Sequence, residues 1–293
     1  MKEILTHIPW EEKTVLEKIV QDNYREPITQ ARNVIVKAGS DVLLTEEGNL
    51  DMVTMANLIE QMSYYIKQGY KITFVTSGAV AAGKECLGKE RAEKMDSRGL
   101  STFGQSKLME QYNNLTRNYL GFEAGQVLVE QVHFSNDRRD ETKKIFDQAY
   151  NIGGLVIVNA NDPVWPGELK ELKRGSDNDQ TAVWVYQLLN ADLVIFLSSV
   201  DGLIYNIGES NAQKIDLVLG VTKETQNLVK KINSRTGSYG MTSKLKRIDQ
   251  VMDKNGQAVI ANGKIRDVIY CILSGENEGT YFAKEKKMRP YFL

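Results

Sequence analysis

The chain has 293 residues, 42% of them hydrophobic and 26% charged, and its 37 basic and 38 acidic side chains leave a net charge of −1. That balance shows no nucleic-acid footprint, and Cys86 and Cys271 fit neither a disulfide framework nor a metal spacing. His7 and His133 are too few for a His-rich metal site, no apolar run approaches the roughly 18 residues of a membrane span, and no signal-peptide layout opens the chain, so a soluble cytoplasmic protein is expected.

In chain order, residues 1–31 read as a helical appendage, entered through Pro9-Trp10-Glu11-Glu12 and striped by Val15, Leu16, Ile19 and Val20. Residues 32–293 form the body. A β-branched strand, Asn33–Lys37, precedes a helix over 51–68 and a strand over Tyr70–Val75. A helix over 99–119 carries Leu100, Phe103, Leu108, Tyr112 and Leu115 on its inner side. Strands at Gln126–Val129 and Leu155–Val158 flank a helical segment near Asp140–Tyr150. Then follow a helix at Gln180–Leu189, a strand at Leu193–Leu197, a helix over 242–253, a strand at Ala258–Ala261 and a short apolar piece at Val268–Ile272. Strands alternating with helices at this spacing predict βαβ units around a mostly parallel sheet, hence an α/β fold.

Four of these strands end in Gly, Ser, Lys, Asn or Asp. They run into Lys37-Ala38-Gly39-Ser40, Ser77-Gly78, Asn159-Ala160-Asn161-Asp162 and Ser198-Ser199-Val200-Asp201-Gly202. In a parallel sheet such ends converge on one edge, where small residues let backbone N–H groups approach an anion. Each is equally a plain βα turn when taken alone. No phosphate loop, dinucleotide fingerprint or protein-kinase motif set is present, so a bound nucleotide needs another scheme. A second lysine, Lys244, follows the loop Gly237-Ser238-Tyr239-Gly240-Met241-Thr242-Ser243 and is expected in the first turn of its helix. Phosphoryl transfer needs charge neutralisation on the moving group, which two lysines supply, and Asp179 or Asp162 can hold them in place.

These segments, together with Gly104-Gln105-Ser106-Lys107-Leu108-Met109, Asp177-Asn178-Asp179 and Thr76–Gly83, resemble the amino acid kinase family over residues 33–282, its glutamate-kinase branch in particular. The resemblance implies a three-layer α/β/α sandwich, with a substrate lobe at about 32–190 and a nucleotide lobe at about 191–293. It implies ATP-dependent formation of an acyl phosphate on the side-chain carboxylate of glutamate, the first step toward proline, with ATP and Mg2+ as cofactors and a homo-oligomer as the assembly. Lys37, Lys244 and Asp179 then take the catalytic roles. Ser77, Gly78, Asn159, Asp162, Asp177 and Asn178 hold the amino acid. Lys37, Gly39, Ser40, Ser198, Ser199, Ser238, Gly240, Met241 and Lys244 meet the nucleotide, and no protein metal ligand is assigned. A family kinase acting on another amino or carboxylic acid, and a ligand-binding paralogue without turnover, are the alternatives.

Three departures accompany the resemblance. Ala160 stands where the family has Glu, Ser198-Ser199 where it has Thr-Asp, and Tyr239 where its loop has Gly. The second of these removes a carboxylate from the nucleotide side. The resemblance is expected to be to members without the extra C-terminal domain that many bacterial members of this branch carry.

Overall fold

Val34, Ile35 and Val36 are β-branched, and no polar side chain interrupts them, as suits a strand covered on both faces. In the computed structural model, which describes residues 24–161, 178–205, 210, 212–221 and 240–284, they lie in β1 (Asn33–Ala38). The apolar stripe expected at Val15–Val20 lies outside the described residues, as do Asp162, Asp177 and Ser238.

β1 is central in an eight-stranded sheet. The other strands are β2 (Lys71–Val75), β3 (Gly125–Val129), β4 (Val156–Ala160), β5 (Leu193–Ser198), β8 (Leu217–Leu219), β9 (Gln257–Asn262) and β10 (Thr280–Ala283). A separate antiparallel pair joins β6 (Ile204–Tyr205) and β7 (Gln213–Lys214). The order is β3-β4-β2-β1-β5-β9-β10-β8. All neighbours pair in parallel except β9 and β10, which run antiparallel. Val34 pairs with Ile72 on one side and with Leu193 on the other. The chain works outward from β1 through β2 before it returns to place β5 on the opposite flank. That reversal leaves a crevice at the carboxyl ends of β1, β2, β4 and β5.

Alternate residues divide between two cores, which makes three layers. One face carries Val34, Val36, Ile72, Phe74, Ile157 and Ile195 against α3 (Met52–Lys67), α6 (Ser97–Leu120) and α10 (Val268–Leu273). The other carries Ile35, Val75, Val158 and Phe196 against α7 (Asn136–Asn151), α8 (Asn178–Leu189) and α9 (Gly240–Asp253). Each fully buried aliphatic side chain contributes about 1.5–3 kcal/mol to this arrangement. The expected sandwich is therefore observed.

Local chemistry sets the helix ends. Asp51 caps α3 by accepting from Thr54 N–H at 3.0 Å, and it also meets Lys264 Nζ at 2.6 Å. Asp96 caps α6 by accepting from Gly99 N–H at 2.9 Å. Before β1, a short α1 (Glu26–Thr29) follows Arg25, which is 1% exposed. Its guanidinium donates to the carbonyls of Glu276 at 3.0 Å, Glu278 at 2.7 Å and Gly279 at 2.8 Å.

Some expectations need correction. Phe103 is 45% exposed rather than inward, because the buried stripe of α6 runs through Leu100, Gly104, Leu108 and Tyr112 at intervals of four. Short helices at α2 (Ser40–Leu43) and α5 (Lys89–Ala92), a full helix α4 (Ala79–Leu87), and β10 with its partner β8 carry no strong period in the sequence. No helix is assigned to the small residues after Gly78 from the sequence, yet Ala is the best helix former and α4 takes them up. They are small because α4 packs directly on α6. A methyl group on Gly83 would overlap Leu100 O, and one on Gly104 would overlap Ala79 O.

Candidate active site

Within β1, Lys37 faces the α8 and α9 side, continuing the alternation begun by Ile35. It sits at the strand's carboxyl end and is only 5% exposed. A buried ammonium needs a partner. Asp179, the second residue of α8, supplies it: Lys37 Nζ lies 2.7 Å from Asp179 Oδ1. Lys244 approaches from α9, where its Nζ donates to Asp179 Oδ2 at 3.2 Å. The sequence placed Lys244 in the first turn of its helix. Since α9 begins at Gly240, it occupies the second. Of the two carboxylates considered as the bridge, Asp179 holds both lysines.

Burial pushes the Asp179 carboxyl upward, but the Lys37 and Lys244 charges and hydrogen bonds outweigh it and hold the group below its ordinary 3.8. The aspartate is therefore ionised. Two ammoniums share this one carboxylate, an arrangement that suits an anion.

Beside this trio lies a network of amides. Asn178, the first residue of α8, donates through Nδ2 to Thr76 O at 2.8 Å, Ser77 Oγ at 3.0 Å and Asn159 Oδ1 at 3.1 Å. The ends of β2, β4 and α8 are thus tied at one point. Among the described residues, Asn178 Oδ1 is buried without a hydrogen-bond partner, a costly state that a donor on a ligand would relieve. Gly78 caps α4 with φ +106°, a conformation open to Gly. Asn161 reaches away from this network, donating to Glu130 Oε1 at 2.7 Å.

From the Gly104–Met109 segment, Gln105 joins the network without a role expected from the sequence. It is 9% exposed on α6, and its Oε1 accepts from Asn159 Nδ2 at 2.9 Å while its Nε2 is buried without a partner. The signal was a polar residue one position after Gly104 on the inward stripe. Tyr112 lies two further turns along α6, and its hydroxyl bonds the Thr76 hydroxyl. Thr76 in turn precedes Ser77.

On the far side of Lys37, Gly39 borders a small space shared by the Lys37 ammonium and the Asp41 carboxylate. A methyl group there would collide with the Asp41 carboxylate and come within 3.0 Å of Lys37 Nζ. Ser40 is exposed on α2. Ser198 is buried at the end of β5 and Ser199 is exposed beside it. Met241 is half-buried against the α8 and α9 core, and Gly240 starts α9. The structure therefore joins Lys37, Asp179 and Lys244 in one cluster and Ser77, Asn159 and Asn178 in another.

The amino acid kinase family model matches residues 32–262. The glutamate 5-kinase of Enterococcus faecalis is 30% identical over 264 residues, covering 89% of this chain and 97% of that protein. The glutamate 5-kinase of Clostridium acetobutylicum is 32% identical over 272 residues, covering 90% of this chain and 100% of that protein. Among solved structures, a carbamate kinase from Giardia lamblia bound to AMP-PNP aligns with a TM-score of 0.60 at 16% identity, covering 88% of this chain and 100% of that one. A UMP kinase from Bacillus anthracis aligns with a TM-score of 0.55, also at 16% identity, covering 87% and 97%. At that identity the two structures bear on the fold alone.

Proposed function

Because the chain belongs to the amino acid kinase family, we propose that it transfers the terminal phosphoryl group of ATP to the side-chain carboxylate of L-glutamate, giving an acyl phosphate for proline synthesis in the cytoplasm. The observation that carries this reading is the buried pair of ammoniums on one carboxylate, set against a partly unsatisfied amide network. The glutamate 5-kinases that match it over nearly their whole length support the choice of acid.

In this reading the acid lies against Ser77, Gly78, Asn159 and Asn178, with Asp162 and Asp177 completing its site. One oxygen of its side-chain carboxylate attacks the terminal phosphorus as the bond to the bridging oxygen breaks, and ADP departs. Little covalent work falls to the protein, because such a transition state is governed by position and charge. Lys37 and Lys244 neutralise the oxygens of the moving group from two sides. Asp179 is a positioning residue that holds both ammoniums aimed into the crevice. Gly39, Ser40, Ser198, Ser199, Ser238, Gly240 and Met241 line the nucleotide side, Gly39 and Ser40 reaching it from a substrate lobe at about 32–190 and the others belonging to a nucleotide lobe at about 191–293. Magnesium accompanying the nucleotide supplies further charge neutralisation. The lysine-rich crevice and the small space bounded by Gly39, Lys37 Nζ and the Asp41 carboxylate fit a polyphosphate carrying that ion.

Incubation with ATP, magnesium and hydroxylamine across a panel of amino and dicarboxylic acids tests the reading. Hydroxamate from glutamate in preference to the others is expected. Hydroxamate only from another acid replaces the substrate, and no product from any acid overturns the reading.

A further inference from the structure

The loss of a carboxylate at Ser199 is answered from a neighbouring element. Asp41, on the short helix after β1, reaches across to the end of β5, where its Oδ2 accepts from the Ser199 backbone N–H at 3.1 Å and lies 3.5 Å from Ser198 Oγ. Its Oδ1 faces Gly39. A methyl group on that glycine would strike Oδ1 while lying 3.0 Å from Lys37 Nζ. One oxygen of Asp41 is therefore engaged on β5. The other borders the same small space as the Lys37 ammonium, with no donor among the described residues.

A carboxylate bordering a polyphosphate site repels the phosphates unless a cation lies between them. Magnesium in phosphoryl-transfer sites takes one or two protein carboxylates and fills its remaining positions with phosphate oxygens and water. We propose that Asp41 is the carboxylate that faces the divalent cation of the bound nucleotide, holding from the β1 side the place that residue 199 would otherwise fill from β5. This rests on the ATP-dependent reading above.

Asp41→Asn tests the charge while keeping an acceptor for Ser199 N–H. Calorimetry with AMP-PNP, in saturating magnesium and then in EDTA, gives the factor by which magnesium tightens binding. That factor is expected to fall at least tenfold in Asp41→Asn, with metal-free affinity unchanged or tighter because a repulsive charge has gone. Asp41→Ser should behave likewise, and adding Ser199→Asp to it should restore most of the factor. A magnesium factor equal to wild type in Asp41→Asn overturns the proposal, as does a double variant that gains nothing over Asp41→Ser. Thermal melts without ligand confirm that each variant is folded. The hydroxamate panel on the wild type is independent of this ratio, so failure to use glutamate and failure of Asp41 to face the cation are separate results.

Discussion

Replacing Asp179 with asparagine removes one negative charge and almost no volume, and it leaves two ammoniums, 5% and 8% exposed, without their shared counter-ion. At an effective dielectric constant of about 20, the two contacts of 2.7 Å and 3.2 Å correspond to about 6 and 5 kcal/mol of attraction. Desolvation of the three ions offsets much of this, so removing the carboxylate should cost about 3–5 kcal/mol of folding stability. For a chain of this size that lowers the melting temperature by roughly 5 °C or more. Added sulfate should recover part of the loss by supplying an anion to the lysines. Adding Lys244→Met should also recover stability, because one unpaired charge is then removed, but turnover should remain lost. A melting temperature within about 1 °C of wild type, together with preserved turnover, would refute the assignment of a shared counter-ion.

Three further outcomes follow from the geometry. Burial pushes the Asp51 carboxyl up, but the Lys264 hydrogen bond and charge and the Thr54 backbone and hydroxyl hold it down to about 2, against 3.8 unfolded. The group therefore contributes stability, about 2 kcal/mol, that is fully present above pH 4 and lost as pH falls through 2. The gap in urea midpoint between wild type and Asp51→Asn should be constant from pH 7 to 5 and narrow below pH 4, and a gap independent of pH would contradict this. Gly104→Val should destabilise by about 3 kcal/mol or prevent folding, since α4 cannot retreat from α6 without disturbing both, and an unchanged denaturation midpoint would exclude that close approach. Arg25→Met should cost about 3 kcal/mol in a thermal melt, because the carbonyls of Glu276, Glu278 and Gly279 lose their donors.

What was legible in the sequence tracks strength of pattern. The β-branched runs of β1 and β5 and the long amphipathic α3 are set by burial on fixed faces, so their positions emerged within a few residues. Lys37, Asp179 and Lys244 were found as isolated polar residues at strand and helix ends, and the convergence of parallel strands brings them together. α4 was hidden because its alanines and Gly83 answer to a neighbouring helix rather than to a period of their own. Asp41 and Gln105 were passed over for a different reason. Each acts by reaching to another element, Asp41 to Ser199 and Gln105 to Asn159, and such partnerships are invisible until the sheet order is known.

The place of β1 also governs when the crevice can exist during synthesis. Its β2 flank is complete within about forty residues, whereas Leu193, which pairs with Val34 on the other flank, follows 159 positions later. At translation rates of about 5–20 residues per second, the β5 side of β1 waits roughly 10–30 s for its neighbour. Asp179 precedes β5 and Lys244 follows it, so Lys37 spends that interval with its ammonium hydrated rather than paired. A nascent chain released before β5 emerges would present the bare edge of its apolar first strand, which makes this stretch of translation the window in which a chaperone matters most.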